Sequence, residues 1–186
     1  MTQKILYVDR APNRLPLTPP ENKRRMAVEG AVRVYKIETG LSAAGFDVDL
    51  QFNLSEEITR IIRQNQTKKS EERYLGLITH FPYDPQFYGS RESMNLSKRD
   101  YIMKSYGHSA QIIRDIRKAA PKLIMIAYSG ATTENATDET HSEITNLMRE
   151  SGFDDWVFKS GNIEKDSGDL AVITGALIRA AEHPKK

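Results

Sequence analysis

Cysteine is absent from the 186 residues. That removes disulfides, thiolate nucleophiles and every zinc or iron–sulfur site built on cysteine. It also fits a reducing compartment, so a cytoplasmic location is expected. Charge of one sign is lacking too: Lys and Arg total 27 against 25 Asp and Glu, a formal net charge of +2. Such a balance gives no broad field for nucleic acid or an anionic membrane, and neither is expected as a partner. No apolar run approaches the ~20 residues that a spanning helix requires. The opening MTQKILYVDR turns acidic at Asp9 before a signal-like stretch can develop. The familiar phosphate and nucleophile motifs are missing as well. There is no G-x-x-x-x-G-K-[ST], no G-x-G-x-x-G after the first strand and no G-x-S-x-G. No two histidines have metal-ligand spacing, and no metal or cofactor is expected.

What is present describes a globular protein: 39% hydrophobic and 28% charged residues, over a length that suits one domain. Ile5-Leu6-Tyr7-Val8 is an apolar, β-favouring run that ends at Asp9 and reads as a buried strand. Arg10 to Pro20 carries Pro12, Pro16, Pro19 and Pro20 and reads as a loop. Thr18-Pro19-Pro20-Glu21 has the form of a capping box with proline at the first helical position. The helix it opens is predicted to run to about Ala44, burying Met26, Val28, Val32, Tyr35, Ile37 and Leu41, with Gly45 as its stop.

Phe46 to Leu50 alternates with period two, as a half-exposed strand does. Ser55 is placed as the N-cap of a short helix carrying Ile58, Ile61 and Ile62, and Gln64 to Arg73 reads as a linker. Tyr74 to Thr79 is the third strand. From His80 to about Ser105 the chain is rich in Pro, Tyr, Ser and Gly without a clear period. Residues 83–105 are therefore read as an inserted or functional loop, with a helical turn near Lys98 to Lys104. A helix follows from about Gly107 to Ala119, with Ile112, Ile113 and Ile116 on one face. Leu123 to Ala127 is the fourth strand and Ser129 to Asp138 a polar loop. The helix from about Glu139 to Glu150 turns Ile144, Leu147 and Met148 inward. Trp156 to Phe158 is the fifth strand, and the last helix, about Gly168 to Ala181, turns Leu170, Ile173, Leu177 and Ile178 inward.

Strands alternating with helices, the middle strands apolar throughout, predict a doubly wound α/β domain with a mostly parallel five-stranded sheet covered on both faces. There is no internal repeat and no second compositional regime, so residues 1–186 are read as one domain. In such folds the site lies at the carboxyl ends of the strands. The residues to weigh there are Asp9, Thr79, His80, Tyr128, Ser129 and Lys159.

One carboxylate, one hydroxyl and one ammonium (Asp9, Ser129, Lys159), each directly after a strand, form a set that resembles the receiver domain of bacterial response regulators, the CheY-like family. The most specific match is Gly152-Phe153-Asp154-Asp155-Trp156-Val157-Phe158-Lys159-Ser160, against the pattern G-A-x-D-Y-L-x-K-P. Ile124 to Gly130 fits the strand that delivers the family's Ser or Thr, Lys4 to Asp9 the strand of its acidic pair, and Gly45 to Val48 the second strand. The resemblance covers most of residues 4–50 and 74–160 apart from the insertion. It implies the strand order 2-1-3-4-5, and it places Trp156 in the slot of a switch aromatic.

The departures from the family pattern bear on chemistry. The phosphoacceptor slot holds Thr79, or Ile78 if the alignment is anchored on Pro82. The acidic pair is reduced to Asp9-Arg10, and Ser160 stands where a proline follows the lysine. Aspartyl phosphorylation needs a carboxylate nucleophile and a divalent cation held by several oxygens. The set Asp9, Arg10, Thr79, Ser129 and Lys159 is therefore expected to be a vestigial pocket in a pseudo-receiver, a regulatory module that is not an enzyme. Such a module is expected to act by contact with a protein partner or a second copy, through the last helix–strand–helix face at about 139–181. Two alternatives stand beside it. One is a sensor of a small ligand, anion or nucleotide in the strand-end pocket. The other is a conventional metal-dependent receiver with a displaced acceptor.

Overall fold

The computed structural model describes residues 2–9, 21–81, 95–129, 138–158 and 166–182. Five strands and five helices alternate along them: β1 (Gln3–Asp9), α1 (Glu21–Ala43), β2 (Phe46–Phe52), α2 (Glu56–Gln66), β3 (Tyr74–His80), α3 (Lys98–Ala119), β4 (Ile124–Ser129), α4 (Asp138–Ser151), β5 (Asp155–Phe158) and α5 (Asp166–Glu182). All strand pairs are parallel, in the order β2-β1-β3-β4-β5. This is the predicted doubly wound arrangement. The helices divide between the two faces, because alternate residues of the inner strands are apolar in both directions.

One face carries α2, α3 and α4. There Leu6, Val8, Leu77, Met125 and Ala127 of the sheet pack against Ile58, Ile62, Ile113, Ile116, Ile144 and Met148. The other carries α1 and α5, where Ile5, Tyr7, Ile78, Ile126 and Tyr128 meet Val34, Ile37, Leu41, Ile173 and Leu177. Which residues share a face is set by a bulge near the start of β3. Lys4 pairs with Tyr74, but Ile5 pairs with Gly76, so Leu75 is the extra residue. Leu75 and Gly76 then lie toward the same face, and every later β3 side chain takes the opposite side from the one an unbroken count would give. Space is tight at Gly76. A Cβ there would lie 3.1 Å from Leu177 Cδ2 and 3.2 Å from the Ile124 carbonyl oxygen.

Polar ties fix the amino ends of the strands. Asn65, buried on α2, accepts from the Tyr74 amide at 2.7 Å and donates to the Glu72 carbonyl at 3.2 Å. The stretch expected to be a linker is thus the end of α2, a short 3-10 turn at Ser70–Glu72 and an amide staple between α2 and β3. Arg117, near the end of α3, donates to the carbonyls of Pro121, Leu123 and Gly152 and to Asp154 Oδ2 at 2.7 Å. The same Asp154 oxygen accepts the Met125 amide at 2.8 Å, and the Asp154 amide returns a bond to the Met125 carbonyl. The chain can enter β5 this way because Gly152 turns at φ +102° after α4, a conformation open to glycine.

Several helix expectations are corrected. Val32 and Tyr35 of α1 and Ile178 of α5 were expected inside and are exposed. Val34, which the sequence reading passed over, is buried with Ile37 and Leu41 at spacings of three and four. Ser55 stands at the N-cap position of α2, but its side chain makes no cap bond. The helix expected from Gly107 begins at Lys98, capped by Ser97, whose hydroxyl accepts from the Asp100 amide at 3.0 Å. The earlier part of the expected insertion, residues 83–94, lies outside the described residues, as does the capping box at Thr18–Glu21 apart from the backbone of Glu21. No helix among the described residues is long and apolar enough to cross a membrane.

Candidate functional site at the carboxyl ends of the strands

Strand register decides which candidate side chains meet. Val8, Thr79, Ala127 and Trp156 form one row across β1, β3, β4 and β5. Val8 and Ala127 belong to the core beneath α2, α3 and α4, so Thr79 points to that face. There it is fully buried, and its hydroxyl donates to the carbonyl of the next residue, His80, at 3.2 Å. Asp9 follows Val8 and therefore turns to the opposite face, beside Tyr7 and beneath α1. The structure does not bring Asp9 and Thr79 together. The sheet itself lies between them.

On its own face Asp9 is 3% exposed and accepts a hydrogen bond of 2.6 Å from the Tyr7 hydroxyl to Oδ2. Two residues apart on a strand, the two side chains stand one above the other, which is what permits so local a pair. Its backbone carbonyl is taken as well, by the Asn53 amide at 2.7 Å. Burial is the largest cause holding the Tyr7 phenol well above its usual pKa. The Asp9 charge and the hydrogen bond to it come next, Tyr128 adds to the rise and the Arg33 cation opposes it.

A second tyrosine–carboxylate pair stands across β3 from the first. Tyr128 of β4 donates from its hydroxyl to Asp169 Oδ2 of α5 at 2.9 Å, and both groups are buried. This bond fastens the first turn of α5 to the sheet. Between the two pairs lies His80, the last residue of β3, paired in register with Tyr128. His80 Nδ1 sits 3.2 Å from the Tyr128 carbonyl oxygen. A carbonyl can only accept, so in this contact Nδ1 is the donor.

Immediately beyond His80, Phe81 dives into the α2/α3/α4 core and is fully buried. Its ring meets Tyr106 of α3 edge-on at 5.3 Å and Phe153, just before β5, at 5.2 Å. The three rings thus anchor the residue after β3 in the core.

At the sheet's far edge Trp156 is half-buried against the same core, and the Arg149 guanidinium of α4 lies 5.6 Å from its ring centroid. Its neighbour Asp155 accepts from Arg179 of α5 at 3.0 Å. Consecutive on the strand, the two take opposite sides of it: Trp156 with Arg149 lies on the α4 side of β5, and the Asp155–Arg179 pair on its α5 side.

Of the expected pocket, Asp9 and Thr79 thus occupy opposite faces. Ser129 closes β4 opposite Phe158. Arg10 and Lys159 lie outside the described residues. Among the described residues, no group of three or more His, Asp and Glu is arranged to hold a metal ion. The sequence reading missed two participants, Tyr7 and Asp169. The first had a signal in Tyr7-x-Asp9, a donor and a carboxylate at strand period. The second had none, because its partner Tyr128 lies 41 residues away.

No protein-family model matches the sequence, and no curated protein matches it. Solved structures do. The chain is similar to a CheY-like response regulator receiver domain protein from Methanospirillum hungatei, with a TM-score of 0.52, 14% identity and 98% of each chain covered. It is also similar to a response regulator receiver domain protein from Clostridium thermocellum, with a TM-score of 0.51, 17% identity and coverage of 96% of this chain and 97% of that one. Together with the strand order, these likenesses establish the architecture: the chain has the CheY-like receiver fold.

Proposed function

We propose that this chain is a pseudo-receiver, a regulatory module that keeps the receiver fold, takes up no phosphate at its strand ends, turns over no substrate and acts by protein contact. The observation that carries the reading is the separation of Asp9 from Thr79 by the sheet. The strand-end carboxylate is buried beneath α1 and accepts from Tyr7 there. The hydroxyl in the acceptor slot is fully buried and spent on a backbone carbonyl. A phosphoryl acceptor needs a nucleophile that is exposed and activated, and Thr79 is neither.

The contact face in this reading is α4–β5–α5, within about 139–181. It offers Trp156 stacked by Arg149 on its α4 side and the exposed Arg179 on its α5 side, and aromatic residues and arginine are the types that interfaces enrich. The protein partner is either a different chain or a second copy.

Incubation with acetyl phosphate and magnesium, followed by intact-mass measurement, tests the first half of the proposal. The mass is expected to stay unchanged. A stoichiometric adduct of one phosphoryl group, mapped to the strand ends, overturns it.

A further inference from the structure

We draw no further inference here: the strongest candidate, the exposed apolar pair of Val32 and Tyr35 on α1, carries nothing because no feature of the structure shows what covers it.

Discussion

Tyr7 and Asp9, two residues apart on the first strand, share a buried hydrogen bond of 2.6 Å beneath α1. The pair ties the strand-end carboxylate of β1 to a neighbour on its own strand. Its stability has a measurable consequence. Tyr7→Phe removes the donor, and Asp9→Ala strands the hydroxyl, so each is expected to cost about 1–3 kcal/mol. Because the two act on one bond, the double mutant is expected to cost less than the sum. Urea midpoints of the four proteins measure this, and strict additivity would mean that the bond contributes nothing.

Alkaline pH supplies a second prediction. The phenols of Tyr7 and Tyr74 are both held above their usual pKa, chiefly by burial and then by the carboxylates that accept from them, Asp9 and Asp49. The folded chain therefore keeps these protons at a pH where the unfolded chain has lost them. Their contribution is fully present below the unfolded value of about 10 and is lost as pH rises above it. Stability is expected to fall steeply above about pH 10, and Tyr7→Phe is expected to flatten that fall. Chemical denaturation at stepped pH reads both effects, and an unaltered alkaline limb in the variant would refute the assignment.

Arg117 is predicted to be the costliest single charge to remove. Its guanidinium serves three carbonyls and Asp154, whose side chain is largely buried. Arg117→Met keeps the length of the stem and abolishes every one of these bonds, stranding an acid at the start of β5. A loss of about 2–4 kcal/mol is expected. Asp154→Asn retains an acceptor for the Met125 amide and is expected to cost less. The order of the two midpoints decides whether the stranded charge dominates.

At the α4–β5–α5 face the opposite is expected. The Asp155–Arg179 pair is well exposed, and exposed ion pairs contribute little. The Arg149–Trp156 stacking is worth about 0.5–1 kcal/mol in such a setting. Arg149→Ala is therefore expected to change the fluorescence of Trp156, the only tryptophan, while leaving the urea midpoint nearly unmoved. A large stability loss would recast this face as core.

The architecture was legible because β1, β3 and β4 are apolar on both faces and short helical patterns separate them. Helix faces were less so. Met26 and Val28 of α1 lie outside the residues whose side chains are described; from 32 onward apolar residues stand at 32, 34, 35, 37 and 41, enough for two overlapping stripes, and packing against β1 and β2 selects Val34, Ile37 and Leu41. The start of α3 had its signal in Ser97 and Asp100, an N-cap three residues before an acid, hidden by the irregular stretch before it. In the site, the residue types at the strand ends were readable, but the faces they take were not. The bulge at Leu75 inverts the count along β3, and Thr79 goes to the side away from Asp9 for that reason. Gly76, directly after the extra residue, is the one mark such a bulge leaves in an otherwise apolar run, since an isolated glycine in a strand signals a bulge or a close backbone approach.

The central claim is that the strand ends no longer form a phosphoryl and metal site, and a titration followed by Trp156 emission tests it most directly. Trp156 lies in the same row as Thr79 and Ala127, so occupancy of a receiver-type site at these strand ends would be felt in its surroundings. Addition of magnesium and then beryllofluoride is predicted to leave the emission unchanged. A saturable, magnesium-dependent change that disappears in Asp9→Asn would contradict the account.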